Sequence, residues 1–295
     1  MQGQRENAAY LAGFAFPPEL TVTSSLERAL DAVAVVLVVV PSHGVRALLK
    51  DAVDLIPKGA ALVGAIKGIE NETLEMVSEI FEELMPSDRH GLLTYLGGPS
   101  FAKEVAAGMP TAVCVAGSDA GVTKRVQQVL STDRFRVYTT DDVVGVELGG
   151  ALKNVVAIAA GCGDGLGFGH NTRAALITRG LAEISRLAIK RGAHPLTMAG
   201  LGGMGDLVLT CTGDLSRNRT VGLELGRGRN LSDVLAGMKM VAEGVRTAKS
   251  AKQLADREGV DMPIAQEIYS VLYENKTPVE AVTSLMTRPL KAERD

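Results

Sequence analysis

The sequence predicts an α/β sheet domain over residues 1–141 followed by an all-α domain over residues 142–295. Two patterns carry that division. Through the first half, short β-rich apolar runs alternate with helical stretches, the rhythm of βαβ units that build a parallel sheet. After about Asp142 the period becomes that of helices, with almost no strand signal.

The strand runs are Leu20 to Thr23, Ala32 to Val40, Ala61 to Ile66, Leu92 to Gly97, Thr111 to Gly117 and Phe135 to Thr139. The second run, VAVVLVVVP ending at Pro41, is apolar at nearly every position, which predicts a strand covered by helices on both faces. In the second half, DDVVGVELGGALKNVVAIAAG and NTRAALITRGLAEISRLAIKRG are the clearest helices. In the latter, Ala174, Leu176, Ile177, Leu181, Ile184, Leu187 and Ala188 form one apolar stripe, with Arg179, Glu183, Arg186 and Lys190 largely off it. Two more helices are expected over Glu243 to Glu258 and Pro263 to Tyr273, where the proline suits a first helical turn.

Composition narrows the function classes. With 295 residues, 46% of them apolar, the chain can bury a substantial core. Charged residues are 22% of the total and nearly cancel to a net of -3, so neither nucleic acid nor an anionic membrane is indicated as a partner. The absence of tryptophan and the 4% aromatic content also argue against stacked recognition of bases. Cys114, Cys162 and Cys211 are odd in number and widely spaced, which suits a reducing compartment, and a cytoplasmic location is expected. The longest apolar run, Val33 to Val40, is far short of the roughly 20 residues that span a bilayer, so membrane insertion is not expected. His43, His90, His170 and His194 are scattered and form no metal-binding signature.

Lys153 is the most informative residue. It lies in GALKNVVAIAAG, where small and apolar neighbours desolvate its ammonium, lower its pKa and make it a usable general acid or base. The competing reading is a lysine that snorkels from an apolar helix to the surface. Gly200, Gly202 and Gly205 spell G-x-G-x-x-G, yet they follow a helix and a turn rather than a strand, so the dinucleotide reading fails its context test. That flexible backbone instead brings Asp206 into a cleft. Ser216, Arg217, Asn218 and Arg219 follow at a helix start, where hydroxyl, guanidinium, amide and free N–H groups suit a phosphate. Lys67, in KGIE, sits just past the carboxyl end of a strand, where ligands bind on parallel sheets. In GGPSFAKEV, Gly98 and Pro99 end a strand and Ser100 is placed to cap the next helix.

Taken in order, AIKGIE, GGPSFAKEVAAGMPTAV, ELGGALKNVVAIAAGCGDGLGFGHNTRAALITRGLAE, GLGGMGDLVLTCTGDLSRNR and VAEGVRT closely resemble the bacterial NAD(P)-dependent glycerol-3-phosphate dehydrogenases, from about Arg5 to Arg288. The resemblance implies a truncated Rossmann-like parallel sheet domain followed by a helical substrate domain. It implies hydride transfer between glycerol 3-phosphate and dihydroxyacetone phosphate with NAD or NADP, serving glycerophospholipid synthesis. In it Lys153 corresponds to the catalytic lysine, Lys67 to a second lysine at substrate and cofactor, and Asp206 to the carboxylate that orients them. Ser216, Arg217 and Asn218 correspond to the phosphate site, Arg217 also lying near cofactor. Gly98 and Ser100 correspond to substrate contacts, and Ala102, Val241 and Glu243 to cofactor contacts. The expected partners are the small-molecule substrate and a second copy of the chain.

The front of the chain departs from this pattern. Family members open with a strand, a G-x-G-x-x-G turn, a helix and a second strand ahead of the stretch that here reads RENAAYLAG, so the chain is expected to lack about one βαβ unit of 30 or more residues. NAD versus NADP preference is then unreadable. The rival reading is a catalytically impaired homologue that binds phosphate esters or dimerises without turnover.

Overall fold

The computed structural model describes residues 1, 3–238 and 242–293. Five strands form one sheet in the order β1 to β5: Val35–Val38, Ala61–Gly64, Leu93–Gly97, Thr111–Ala116 and Phe135–Thr140. Around them run α1 (Leu26–Leu30), α2 (Val45–Ala52), α3 (Val77–Leu84), α4 (Ala102–Ala106) and α5 (Ala120–Leu130). The second half is helical throughout: α6 (Val143–Gly165), α7 (His170–Lys190), α8 (Pro195–Ala199), α9 (Asp206–Thr212), α10 (Arg217–Gly226), α11 (Leu231–Ala236), α12 (Glu243–Glu258), α13 (Pro263–Tyr273) and α14 (Pro278–Met286).

Alternation along the strands gives the sheet two buried faces. Leu62, Leu93 and Tyr95 pack with Val45, Leu49, Ile80 and Phe81 of α2 and α3. Ala61, Val63, Val113 and Val137 pack with Val126 of α5 on the other side. The β2 strand is therefore buried at all four residues, as expected for a strand between helical layers.

Four sequence expectations for this half are corrected. Leu20–Thr23 is not a strand; it runs without regular structure into α1, whose first turn is capped by Ser25 accepting from the Arg28 N–H. The Ala32–Val40 run yields only the four residues of β1. Among the described residues that strand pairs with β2 alone and lies at the sheet edge, leaving Leu37 48% and, just past its end, Val39 64% exposed, so it is not covered on both faces. The sheet is mixed rather than purely parallel, because β4 runs antiparallel to β3. Between them lie residues 98–110, which carry the short helix α4.

The core of the helical half is α6. Asp142 caps it by accepting from the Gly145 N–H, and apolar residues on all sides bury it between α7, α9, α10 and α12. By length and composition it could cross a membrane, yet 89% of its most apolar 18-residue window is buried inside the protein. A helix apolar all round can equally be the centre of a folded core. Its closest neighbour is α10: a Cβ on Gly222 would overlap the Ile158 carbonyl, and one on Gly161 would overlap the Arg219 carbonyl.

The α7 stripe differs at two positions. Ile184, Leu187 and Ala188 are buried as the pattern predicts, but Ala174 is exposed and Glu183 is 2% exposed. Glu183 accepts the Ile264 and Ala265 N–H groups at the start of α13, 2.8 and 3.2 Å away. Burial pushes its carboxyl up to about 7 against those bonds. The α12 and α13 helices span the residues the sequence suggested, with Pro263 in the first turn. All three cysteines are buried and unpaired.

Substituting Gly222 by alanine should force α10 away from α6 and lower stability by about 2 kcal/mol. Thermal unfolding of Gly222→Ala beside the parent chain checks this; an unchanged midpoint would contradict the close contact.

Candidate active site

Three elements converge on one carboxylate. Asp206 opens α9 and is only 1% exposed. Its Oδ1 accepts from Lys153 Nζ of α6 at 2.7 Å, and its Oδ2 accepts from Lys67 Nζ at 2.6 Å. Lys67 follows β2 by three residues and also donates to the Gly98 carbonyl at 3.0 Å. Lys153 donates further to Thr210 Oγ1 at 2.6 Å, and that hydroxyl donates to the Asp206 carbonyl oxygen one helical turn back. Thr210 was not among the residues expected from sequence. Its position four residues after Asp206 on a helix is the signal that placed it on the same face.

Lys153 does not snorkel: the residue is 5% exposed. Burial, then the like charge of Lys67, lowers its pKa from 10.5 to about 8, and Asp206 opposes that shift. Lys153 therefore titrates in a range useful for proton transfer while staying hydrogen-bonded. The two lysines differ in access, since the Lys67 side chain is 24% exposed and that of Lys153 6%.

Backbone packing sets this geometry. The G-x-G-x-x-G segment forms a π-helical turn over Leu201–Gly205, and a Cβ on Gly149 of α6 would overlap the Gly202 carbonyl. These glycines bring the start of α9 against α6, which places Asp206 beside Lys153. The loop after Lys67 is tied by Arg46 of α2, which donates to Glu70, Glu75 and Glu83, and Thr73 donates to Glu70. Gly98 has φ +120°, and any Cβ would lie 3.0 Å from Val113 Cα, so the turn that presents its carbonyl to Lys67 requires glycine.

The remaining sequence-predicted residues fall into two groups. Ser216 caps α10, its Oγ accepting from the Arg219 N–H at 3.2 Å. Arg217 is exposed at the first position of α10, with no ion pair among the described residues. Asn218 is buried: its Nδ2 donates to Asn154 Oδ1 and its Oδ1 accepts the Gly244 N–H, each at 2.9 Å. Ser100 does not cap the next helix. It donates to the Gly98 carbonyl at 3.2 Å, and α4 begins after Phe101 with no side-chain cap. Ala102 is exposed at the first residue of α4. Glu243 begins α12 and accepts from Ser42 Oγ at 3.0 Å. Val241 lies outside the described residues.

Ser42 was not anticipated either. It follows β1, and Gly68 beyond β2 presses so closely on it that a Cβ would lie 2.6 Å from its Oγ. This contact leaves bare backbone at the carboxyl ends of two parallel strands, the place where open α/β sheets receive dinucleotides. Lys67 and Glu243 border that edge, and this backbone with their charges fits the reactive end of such a cofactor.

A buried lysine paired with a carboxylate beside the carboxyl ends of a mostly parallel sheet, backed by a helical domain, fits a nicotinamide-dependent oxidoreductase. A family model described as NAD-dependent glycerol-3-phosphate dehydrogenase N-terminus matches residues 1–123, and its C-terminus counterpart matches residues 142–283. A relative from Citrifermentans bemidjiense named glycerol-3-phosphate dehydrogenase [NAD(P)+] is 57% identical over 293 residues, covering 99% of this chain and 88% of its own. One of the same name from Myxococcus xanthus is 52% identical over 290 residues, covering 98% and 87%. The crystal structure of glycerol-3-phosphate dehydrogenase from Coxiella burnetii superposes with a TM-score of 0.92 at 37% identity, covering 98% of this chain and 87% of that one. The chain belongs to the NAD-dependent glycerol-3-phosphate dehydrogenase family.

The charges around Lys153 predict opposite responses to two substitutions. Asp206→Asn removes the group that raises its pKa and should move it below about 8; Lys67→Met removes a like charge and should move it up. The pH dependence of Lys153 labelling by an amine-reactive reagent measures both shifts.

Proposed function

We propose that the chain interconverts sn-glycerol 3-phosphate and dihydroxyacetone phosphate using NAD or NADP, supplying glycerol 3-phosphate for glycerophospholipid synthesis in the cytoplasm. The observation that carries this reading is the Lys153–Asp206–Lys67 cluster, with Lys153 lowered to about 8. In the reducing direction the Lys153 ammonium donates its proton to the C2 oxygen of dihydroxyacetone phosphate. In the oxidising direction the neutral amine removes the proton from the C2 hydroxyl. Asp206 stabilises the ammonium form and holds Lys67 where its charge polarises the same oxygen. Arg217 and the first N–H groups of α10 hold the phosphate, with Ser216 shaping that turn. Bound NAD or NADP would supply or take up the hydride at C2, held by Lys67, Ala102, Arg217, Val241 and Glu243. A second copy of the chain is proposed as a partner, and light scattering tests for that homodimer.

Turnover should respond to pH in opposite senses. Reduction needs protonated Lys153 and should fall as pH rises through about 8, whereas oxidation needs the neutral amine and should rise through the same range. Rates followed at 340 nm across that window test the assignment. Lys153→Ala should lower kcat by about 100-fold or more; a variant as active as the parent would remove Lys153 from the chemistry. A fluorescence titration with NADH separates this enzyme from a homologue that binds phosphate esters alone.

A further inference from the structure

The two arginines of SRNR have different fates. Arg217 is exposed, while the Arg219 side chain is 15% exposed and turned onto α6. There its Nε donates to Asp164 Oδ2 at 2.8 Å. Asp164 lies near the end of α6, its side chain 8% exposed. Its other oxygen, Oδ1, takes Nε and Nη2 of Arg173 from α7 at 3.0 and 2.6 Å. One buried carboxylate thus binds two guanidinium groups from two helices.

Arg219 carries this constraint into the turn before α10. Its backbone N–H donates to Ser216 Oγ, and its Nη1 donates to Asp214 Oδ1 at 3.0 Å. Both flanks of the turn are therefore held by a residue whose side chain is anchored to the helix that carries Lys153. Arg219 is held by Asp164 and Asp214, so an anion at the α10 terminus meets Arg217 and not a second mobile guanidinium.

We infer that Asp164, acting through Arg219, is a positioning residue that holds the Ser216–Arg217 turn for the substrate phosphate. The inference rests on the phosphate role proposed above for this turn. Arg173 belongs to a different arm: it joins α7 to Asp164 and, among the described residues, makes no hydrogen bond or ion pair with the turn. Loss of Asp164 or of the Arg219 fork should weaken phosphate recognition, whereas loss of Arg173 should not.

The test is calorimetric binding of glycerol 3-phosphate to the full chain, with KM and kcat for dihydroxyacetone phosphate where turnover is measurable. Asp164→Asn should bind about 10-fold more weakly and raise KM by a similar factor with kcat within about twofold, because an anchoring charge-assisted bond is lost while Lys153 is untouched. Arg219→Lys keeps the charge without the Nε donor; should Asp164→Asn fail to fold, an affinity loss of about threefold or more in this variant supports the inference. Arg173→Gln should stay within about twofold. Folded Asp164→Asn and Arg219→Lys proteins that bind like the parent would overturn it, as would an equal loss in Arg173→Gln, the mark of general destabilisation. If the parent chain binds no glycerol 3-phosphate, the phosphate assignment itself fails first.

Discussion

The Asp206 carboxylate is the constraint on which the rest of the site depends. It is nearly inaccessible to water, yet it holds two ammonium groups contributed from opposite halves of the chain. Burying charge is costly unless each group is paired and hydrogen-bonded, so the three must meet at short range or not be charged at all. Thr210 satisfies a further Lys153 proton, and Gly98 one of Lys67. The cluster keeps an excess positive charge, which favours an electron-rich oxygen and an anionic substrate beside it.

That demand reaches into the scaffold. A glycine contact draws α9 onto α6, Arg46 fixes the loop behind Lys67, and the Gly98 turn presents its carbonyl. The sheet and the helices are tied at other points by polar bridges. Ser78 of α3 donates backbone and side chain to Glu147 of α6, whose carboxyl burial pushes up to about 8. Arg191 at the end of α7 reaches Glu79 of α3, and Ser42 reaches Glu243. These bridges cross between the halves around the cleft, so the position of Lys67 relative to Lys153 is set by the whole interface.

Sequence reading failed where the answer depended on a distant partner. The β1 run looked buried on both faces because its composition is apolar; its exposure depends on which strands lie beside it. The direction of β4 is likewise set by its pairing with β3, which the run itself does not show. Glu183 looked solvated because it lies off the apolar stripe, and Arg219 looked like part of the anion site; each instead meets a group remote in sequence, the start of α13 and Asp164. Ser42 carries little local signal and Thr210 only its spacing from Asp206, and their roles exist only once Glu243 and Lys153 are near.

The sequence by itself determined the α/β-then-helical order, the desolvation of Lys153, the family and the residues to examine around the substrate. Those features follow from local periodicity, from the apolar neighbours of one lysine and from ordered motifs. Tertiary structure alone decided that Asp206 pairs with both lysines, that Thr210 joins them, that the sheet is mixed, and that Arg217 faces solvent while Arg219 is committed to Asp164. Hydrogen bonds and ion pairs act over about 3 Å, whereas Lys67 and Asp206 stand 139 residues apart in the chain.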